Sequence, residues 1–278
     1  MIRFGPAGIP LQCKGTSTLE GVECCHALGL EAMEMEFVHG VKLKEESAKE
    51  IQKTAKQLDI SLSSHAPYYI NLCSKEPHKI KNSIRHIFQS AKITALAGGR
   101  ITVFHPGFYQ KLSKEQAFSS AKKVLEEIQE ELHQNSLKTV LGAETVGKKS
   151  AFGGLDENIR LAQELEMVQP VIDFAHLHAR GDWKIKSESD YRAIFEKLEK
   201  ELGDYVNHFH AHFSEIDYSE KGERNHVVLG EKNEPPFKPL MKLLAENGYS
   251  GTIICESPQI DLDALKMQKE YWKVKECS

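Results

Sequence analysis

From Ile2 to Val274 the chain alternates short apolar runs with amphipathic, capped stretches, at a repeat of roughly 30–40 residues. No linker or low-complexity segment interrupts the pattern. Parallel strands joined by helical crossovers are buried on both faces, so each unit of this kind must be covered by its neighbours. The expected strands lie at 2–5, 30–38, 60–67, 100–107, 138–144, 170–176, 206–216 and 252–258. Between them, Ser17-Thr-Leu-Glu20 and Ser113–Gln116 carry capping-box spacing that opens helices. Ile80, Ile84, Ile87, Phe88 and Ala91 recur at helical spacing in a third. Further helices are expected at about 43–58, 155–165, 188–202, from Pro235, and at 262–274. Eight such units in 278 residues predict one α/β domain over residues 1–278, a single (β/α)8 barrel with its site at the C-terminal ends of the strands. The competing doubly wound sheet lacks support, because no GxGxxG or phosphate-binding loop follows a strand.

Those C-terminal ends carry an unusual set of side chains. Lys138–Gly147 reads as a short buried strand in which Val140, Gly142 and Glu144 share one face and Thr139, Leu141 and Ala143 the other. An acid at the last inward position is costly unless it is paired or holds a metal. His65, His105, Asp173, His212 and Glu256 end other strands in the same way. His176 follows just beyond strand six, and His226 lies in the polar loop after strand seven. Each alone reads as a surface or core residue, but six strand ends meeting at one barrel face read as a cluster. Imidazoles and carboxylates without thiolate suit Zn2+, Mn2+ or Fe2+, and the donors outnumber the needs of one ion. Two to three ions are expected, with Glu144 the best candidate to bridge two of them, an arrangement suited to in-line displacement at a phosphate. Other inward side chains read as structural. Arg3 is the expected ion-pair partner of Glu34, Glu36 lies nearer its strand end, and His208 and His210 are expected as buried, hydrogen-bonded histidines.

Composition narrows the class. No stretch approaches a membrane span, and the N-terminus is no signal peptide, so a cytoplasmic protein without membrane contact is expected. The six cysteines form no CxxC pair or dense framework and read as reduced packing residues. Lys plus Arg number 36 against 40 Asp plus Glu, so nucleic-acid binding would need a local patch or metal ions.

Several segments together resemble the endonuclease IV family of abasic-site endonucleases, among the xylose-isomerase-like TIM barrels. They are Ser64-His65-Ala-Pro-Tyr-Tyr-Ile-Asn71-Leu, Phe104-His105-Pro-Gly107, Ala143-Glu144-Thr145, Ile172-Asp173-Phe-Ala-His176, His212-Phe-Ser and Cys255-Glu256-Ser-Pro258. The resemblance runs from about residue 1 to 260. It implies a first zinc held by His65, His105 and Glu144, a second by Glu144, Asp173, His212 and Glu256, and a third by His176 and His226. The implied reaction is hydrolysis of damaged double-stranded DNA 5′ to an abasic site by a monomeric enzyme, with Glu256 orienting the attacking water and the lesion flipped out of the duplex. Tyr68 matches a tyrosine inserted near the lesion, or is a packed loop aromatic. Three features depart from the pattern. Arg224 stands where the family has a third-metal Asp, with Glu223 one residue away; Lys232 replaces a loop glycine; and the loop at 38–42 lacks a longer DNA-contacting insertion. The alternatives are a single-metal sugar isomerase or epimerase of the same superfamily, which would need only Glu144, Asp173, His212 and Glu256, and a barrel that keeps its ligands without turnover.

Overall fold

Eight parallel strands alternate with helices around a barrel in the computed structural model, which describes residues 1–277. The strands are β1 (Ile2–Pro6), β2 (Ala32–Glu36), β3 (Ser61–His65), β4 (Ile101–Phe104), β5 (Val140–Glu144), β6 (Val168–Asp173), β7 (Phe209–Phe213) and β8 (Gly251–Cys255). The helices are α1 (Thr18–Leu28), α2 (Glu45–Gln57), α3 (Pro77–Leu96), α4 (Lys114–Gln134), α5 (Leu155–Glu164), α6 (Phe174–Arg180), α7 (Glu188–Leu202), α8 (Phe237–Asn247) and α9 (Ile260–Lys275). Both expected capping boxes form, at Ser17/Glu20 and Ser113/Gln116. None of the described helices is long and apolar enough to cross a membrane.

Strands pair in the order β1-β8-β7-β6-β5-β4-β3-β2, and the seam between β1 and β2 is drawn shut by backbone hydrogen bonds. The Glu31 N–H donates to the Phe4 carbonyl (3.0 Å) and the Gly8 N–H to the Glu34 carbonyl (2.9 Å). Gly5 permits this approach, because a Cβ there would stand 2.1 Å from the Ala32 carbonyl oxygen. Gly5→Ala is therefore expected to force the seam apart and cost about 1–3 kcal/mol, as overpacking does. Urea unfolding measures it, and an unchanged midpoint would mean the seam can yield freely.

Alternation sorts the strand residues into two faces. Ile2, Phe4, Met33, Met35, Leu62, Phe209 and Phe213 face the helices in the main core. Val140, Ile101, Val103 and Val171 meet in a small cluster of their own that fills the barrel below the site. Above that plug stand the polar strand ends.

Five expectations need correction. Arg3 pairs with Asp59 (2.9 Å), not with Glu34. The stagger of β1 against β2 sets Ala7 beside Glu34, which leaves Arg3 four residues lower, at the bottom rim. Strand six ends at Asp173, whose side chain caps α6, so His176 sits on that helix's first turn. Strand seven starts at Phe209, and His208 follows a 3-10 turn at Gly203–Asn207. The loop after it is a β-ribbon, Glu215–Ser219 paired with Gly222–Val227. Finally, Cys13 and Cys24 form a disulfide with Cα atoms 6.2 Å apart. The 7–16 loop folds back onto α1 and brings them together, whereas Cys25, buried on another face of the helix, is free.

Candidate metal centre

Glu144 stands at the centre of the C-terminal face and is fully buried. Its Oε2 lies 2.9 Å from His65 Nε2 and 2.9 Å from His105 Nε2. Its Oε1 faces the other way, 3.2 Å from His212 Nδ1 and 3.3 Å from His176 Nδ1. One carboxylate thus presents each oxygen to a different histidine pair. His212 Nδ1 also stands 3.1 Å from Glu256 Oε1.

Backbone carbonyls orient two of the rings. A carbonyl only accepts, so His65 Nδ1, 2.7 Å from the Ala66 carbonyl, carries a hydrogen and Nε2 is the atom turned to Glu144. His176 Nδ1 donates to the Thr145 carbonyl at 3.0 Å in the same manner. His226 is set by its Nδ1 contact with Ser214 Oγ at 2.6 Å. The ligand-type atoms of His65, His105 and Glu144 lie within 4.8 Å of one another, as do those of Glu144, Asp173, His212 and Glu256, those of Asp173, His176 and His226, and those of Glu34, His210 and His212.

Burial alone would raise the Glu144 carboxyl, but the charges of His105 and His212 overcome it and hold the group well below its usual range. Burial likewise opposes ionising Glu256, yet the His212 charge and contact hold it at about 2. Asp173 goes the other way. Burial, reinforced by the like charges of Glu256 and Glu144, pushes its carboxyl well above the usual value. Its Oδ1 caps α6 by accepting the His176 N–H (2.7 Å), while its buried Oδ2 has no hydrogen-bond partner. An orphaned, buried carboxylate oxygen beside two further acids is what a divalent cation would relieve. The four groups contain only imidazole nitrogens and carboxylate oxygens, a donor set that fits a divalent metal.

The residues at the third-metal departure take a specific arrangement. The ribbon's register shifts between Asp217 and Tyr218, which pair with Asn225 and Glu223, so Arg224 is the extra residue of a bulge. Arg224 turns out toward Asp217 (3.9 Å). Glu223 is carried inward, with Oε2 3.3 Å from His176 Nε2. Close backbone contact makes room for it: a Cβ on Gly222 would stand 2.2 Å from the Gly147 carbonyl, and one on Gly147 would stand 2.0 Å from Glu223 Oε2. Glu223 is the acid that the resemblance already placed one residue from the third-metal position; the bulge is what carries it inward.

Over the cluster opens a cavity of about 450 Å3, whose lining includes His65, His105, His176, His226, Glu256 and Glu36. Tyr68 stands at its mouth, 60% exposed, with its ring edge-on to Tyr69 and to His39. Tyr69 and Phe108 are exposed near it. His178 lies elsewhere, buried, accepting the Ile185 N–H at 3.1 Å.

Comparison with known proteins follows the same lines. Residues 22–273 match the family described as Xylose isomerase-like TIM barrel. An uncharacterized protein of Methanocaldococcus jannaschii is 39% identical over 272 residues, covering 98% of this chain and 97% of that protein. A probable endonuclease 4 of Mycoplasma genitalium is 26% identical over 233 residues, 80% of this chain and 75% of its own length. Among solved structures, endonuclease IV from Thermus thermophilus superposes with a TM-score of 0.71 at 17% identity, over 96% of this chain and 99% of that one. A D-tagatose 3-epimerase-like protein gives 0.70 at 19%, over 94% and 95%. At these identities the two structures speak for the fold alone.

Proposed function

We propose, from the premise that the chain belongs to the xylose isomerase-like TIM barrel family, that it is a metal-dependent phosphodiesterase acting on damaged double-stranded DNA at abasic sites. The observation that carries this reading is the surplus of donors. A single-metal isomerase needs only Glu144, Asp173, His212 and Glu256. Here His65 and His105 add a further group on the opposite oxygen of Glu144, and His176 and His226 add another beside Asp173. Ions held there, zinc by preference with Mn2+ or Fe2+ as substitutes, would supply the concentrated positive charge that a phosphodiester needs as negative charge builds in its transition state.

The chain's own residues divide the remaining work. His65, His105, Glu144, Asp173, His176, His212, His226 and Glu256 are the proposed ligands. Glu256, which lines the cavity, would orient an attacking water. Glu223, 3.3 Å from His176, would stand in for the family's third-metal Asp, whose position Arg224 occupies in the sequence. Tyr68, exposed at the cavity mouth, offers a ring to stack beside an extrahelical nucleotide. A family enzyme working on DNA in this way needs no membrane and no second subunit, and we assign the chain as one cytoplasmic, monomeric domain over 1–278.

The test is a labelled duplex carrying one abasic-site analogue, incubated with metal-quantified protein with and without chelator. Chelator-sensitive nicking 5′ to the lesion, with two or more ions per chain, is the expected result. No nicking and about one ion per chain would overturn it. That outcome would favour the epimerase-type reading, which draws on the second group of donors and on the acid Glu36 at the cavity edge, and ketose and aldose substrates would then be screened.

A further inference from the structure

Glu34 stands one layer below the proposed ligands, fully buried on the inward face of β2. A buried carboxylate is tolerated when every oxygen has a purpose. Its Oε2 accepts the Ser63 hydroxyl at 2.6 Å and stands 3.0 Å from His210 Nε2. Its Oε1 stands 2.9 Å from His212 Nε2, out of hydrogen-bond alignment, and neither of these two buried atoms has a hydrogen-bond partner. Three strands therefore meet on one carboxylate: β2 supplies it, β3 and β7 hold one oxygen, and the other oxygen is reserved for the ring of His212.

That ring's second nitrogen, Nδ1, is hydrogen-bonded to Glu144 Oε1 at 3.2 Å and stands 3.1 Å from Glu256 Oε1, the side from which a cation would displace its hydrogen. A neutral imidazole carries one hydrogen, and only its bare nitrogen can bind a cation. We propose that Glu34, anchored by Ser63 and His210, is a positioning residue that keeps a hydrogen on His212 Nε2 when a cation takes Nδ1, and so commits Nδ1 to the Glu144–Asp173–Glu256 side. The inference rests on the metal-dependent reading above but not on its substrate, since His212 is needed by phosphodiesterase and isomerase alike. It also accounts for the alternation of His210 and His212 on one face: the upper ring faces the cluster and the lower one holds the acid that orients it.

The test strips wild type, Glu34→Gln, Glu34→Ala and His210→Phe with chelator and titrates each with Zn2+ against a chromophoric competitor. Ions per chain, the visible spectrum of the Co2+-loaded forms and the melting temperature of the stripped forms are read alongside. Expected are an affinity loss of about 10-fold for Glu34→Gln and about 100-fold for Glu34→Ala, an altered Co2+ spectrum, and unchanged stoichiometry at saturation. Glu34→Gln is close to isosteric and serves should Glu34→Ala fail to fold. A lowered melting temperature with wild-type affinity and spectrum would reduce Glu34 to a structural residue. Loss of one full ion in both Glu34→Ala and His210→Phe would place an ion among Glu34, His210 and His212 and overturn the proposal. Wild-type protein that binds no divalent ion would instead overturn the metal reading itself, and this inference with it.

Discussion

Glu144→Ala is expected to empty two ligand groups at once and to lower turnover by about 1,000-fold or more, equivalent to several kcal/mol of lost transition-state charge stabilisation. The reason is geometric. One oxygen of Glu144 faces His65 and His105, and the other faces His212 and His176, so no neighbouring acid can replace both contacts from one place. Glu144→Gln keeps the shape but loses the charge, and should recover the fold without recovering the ions. His65→Ala separates the two functional readings, because His65 belongs only to the group that a single-metal enzyme does not use, and its contact with Glu144 is on the oxygen turned away from His212. Under the phosphodiesterase reading it costs an ion and most of the activity. Retention of both would refute the role given to His65 and His105. Elemental analysis of the purified proteins, run beside the nicking assay, decides the matter.

The second large effect concerns stability. Glu215 is wholly buried at the start of the ribbon, and its carboxylate accepts the backbone N–H groups of Gly230, Lys232 and Asn233, each at 2.7 Å. Charge-assisted bonds of this kind are worth about 1.5–3 kcal/mol each, and removing the acceptor leaves the donors to find water. Glu215→Ala is expected to cost about 3–5 kcal/mol in all and to lower the melting temperature by roughly 10 °C for a chain of this size. The 228–234 turn should also become protease-sensitive, because it would lose its internal acceptor. Glu215→Gln, with one neutral acceptor oxygen, should fall between the two. A melting temperature within 2 °C or so of wild type would mean the turn is held by other contacts. A non-glycine fits at Lys232 because the left-handed positions of this turn fall on Gly230 and Asn233; its N–H serves Glu215 and its ammonium reaches Asp217 at 2.8 Å.

The barrel and the inward set His65, Glu144, Asp173 and His212 were legible in the linear chain, because both depend on local rules. Period-2 alternation assigns a strand residue to a face, capping residues and glycines mark the crossovers, and a parallel sheet of this length has one usable end. Positions decided by contacts between distant segments were not legible. Arg3 and Glu34 share a face of their sheet, but the stagger between β1 and β2 separates them by four residues, and only barrel closure sets that stagger. Glu34 belongs instead to His210 and His212, some 176 residues away in the first case. Arg224 and Glu223 exchange roles through one bulged residue, which no propensity marks. Cys13 meets Cys24 because a loop folds back. Sequence by itself therefore determined which side chains line the barrel's upper end, since strand geometry is a local property. The tertiary structure decided which of them touch, because stagger, bulge and loop path come from packing between elements that the chain order does not bring together.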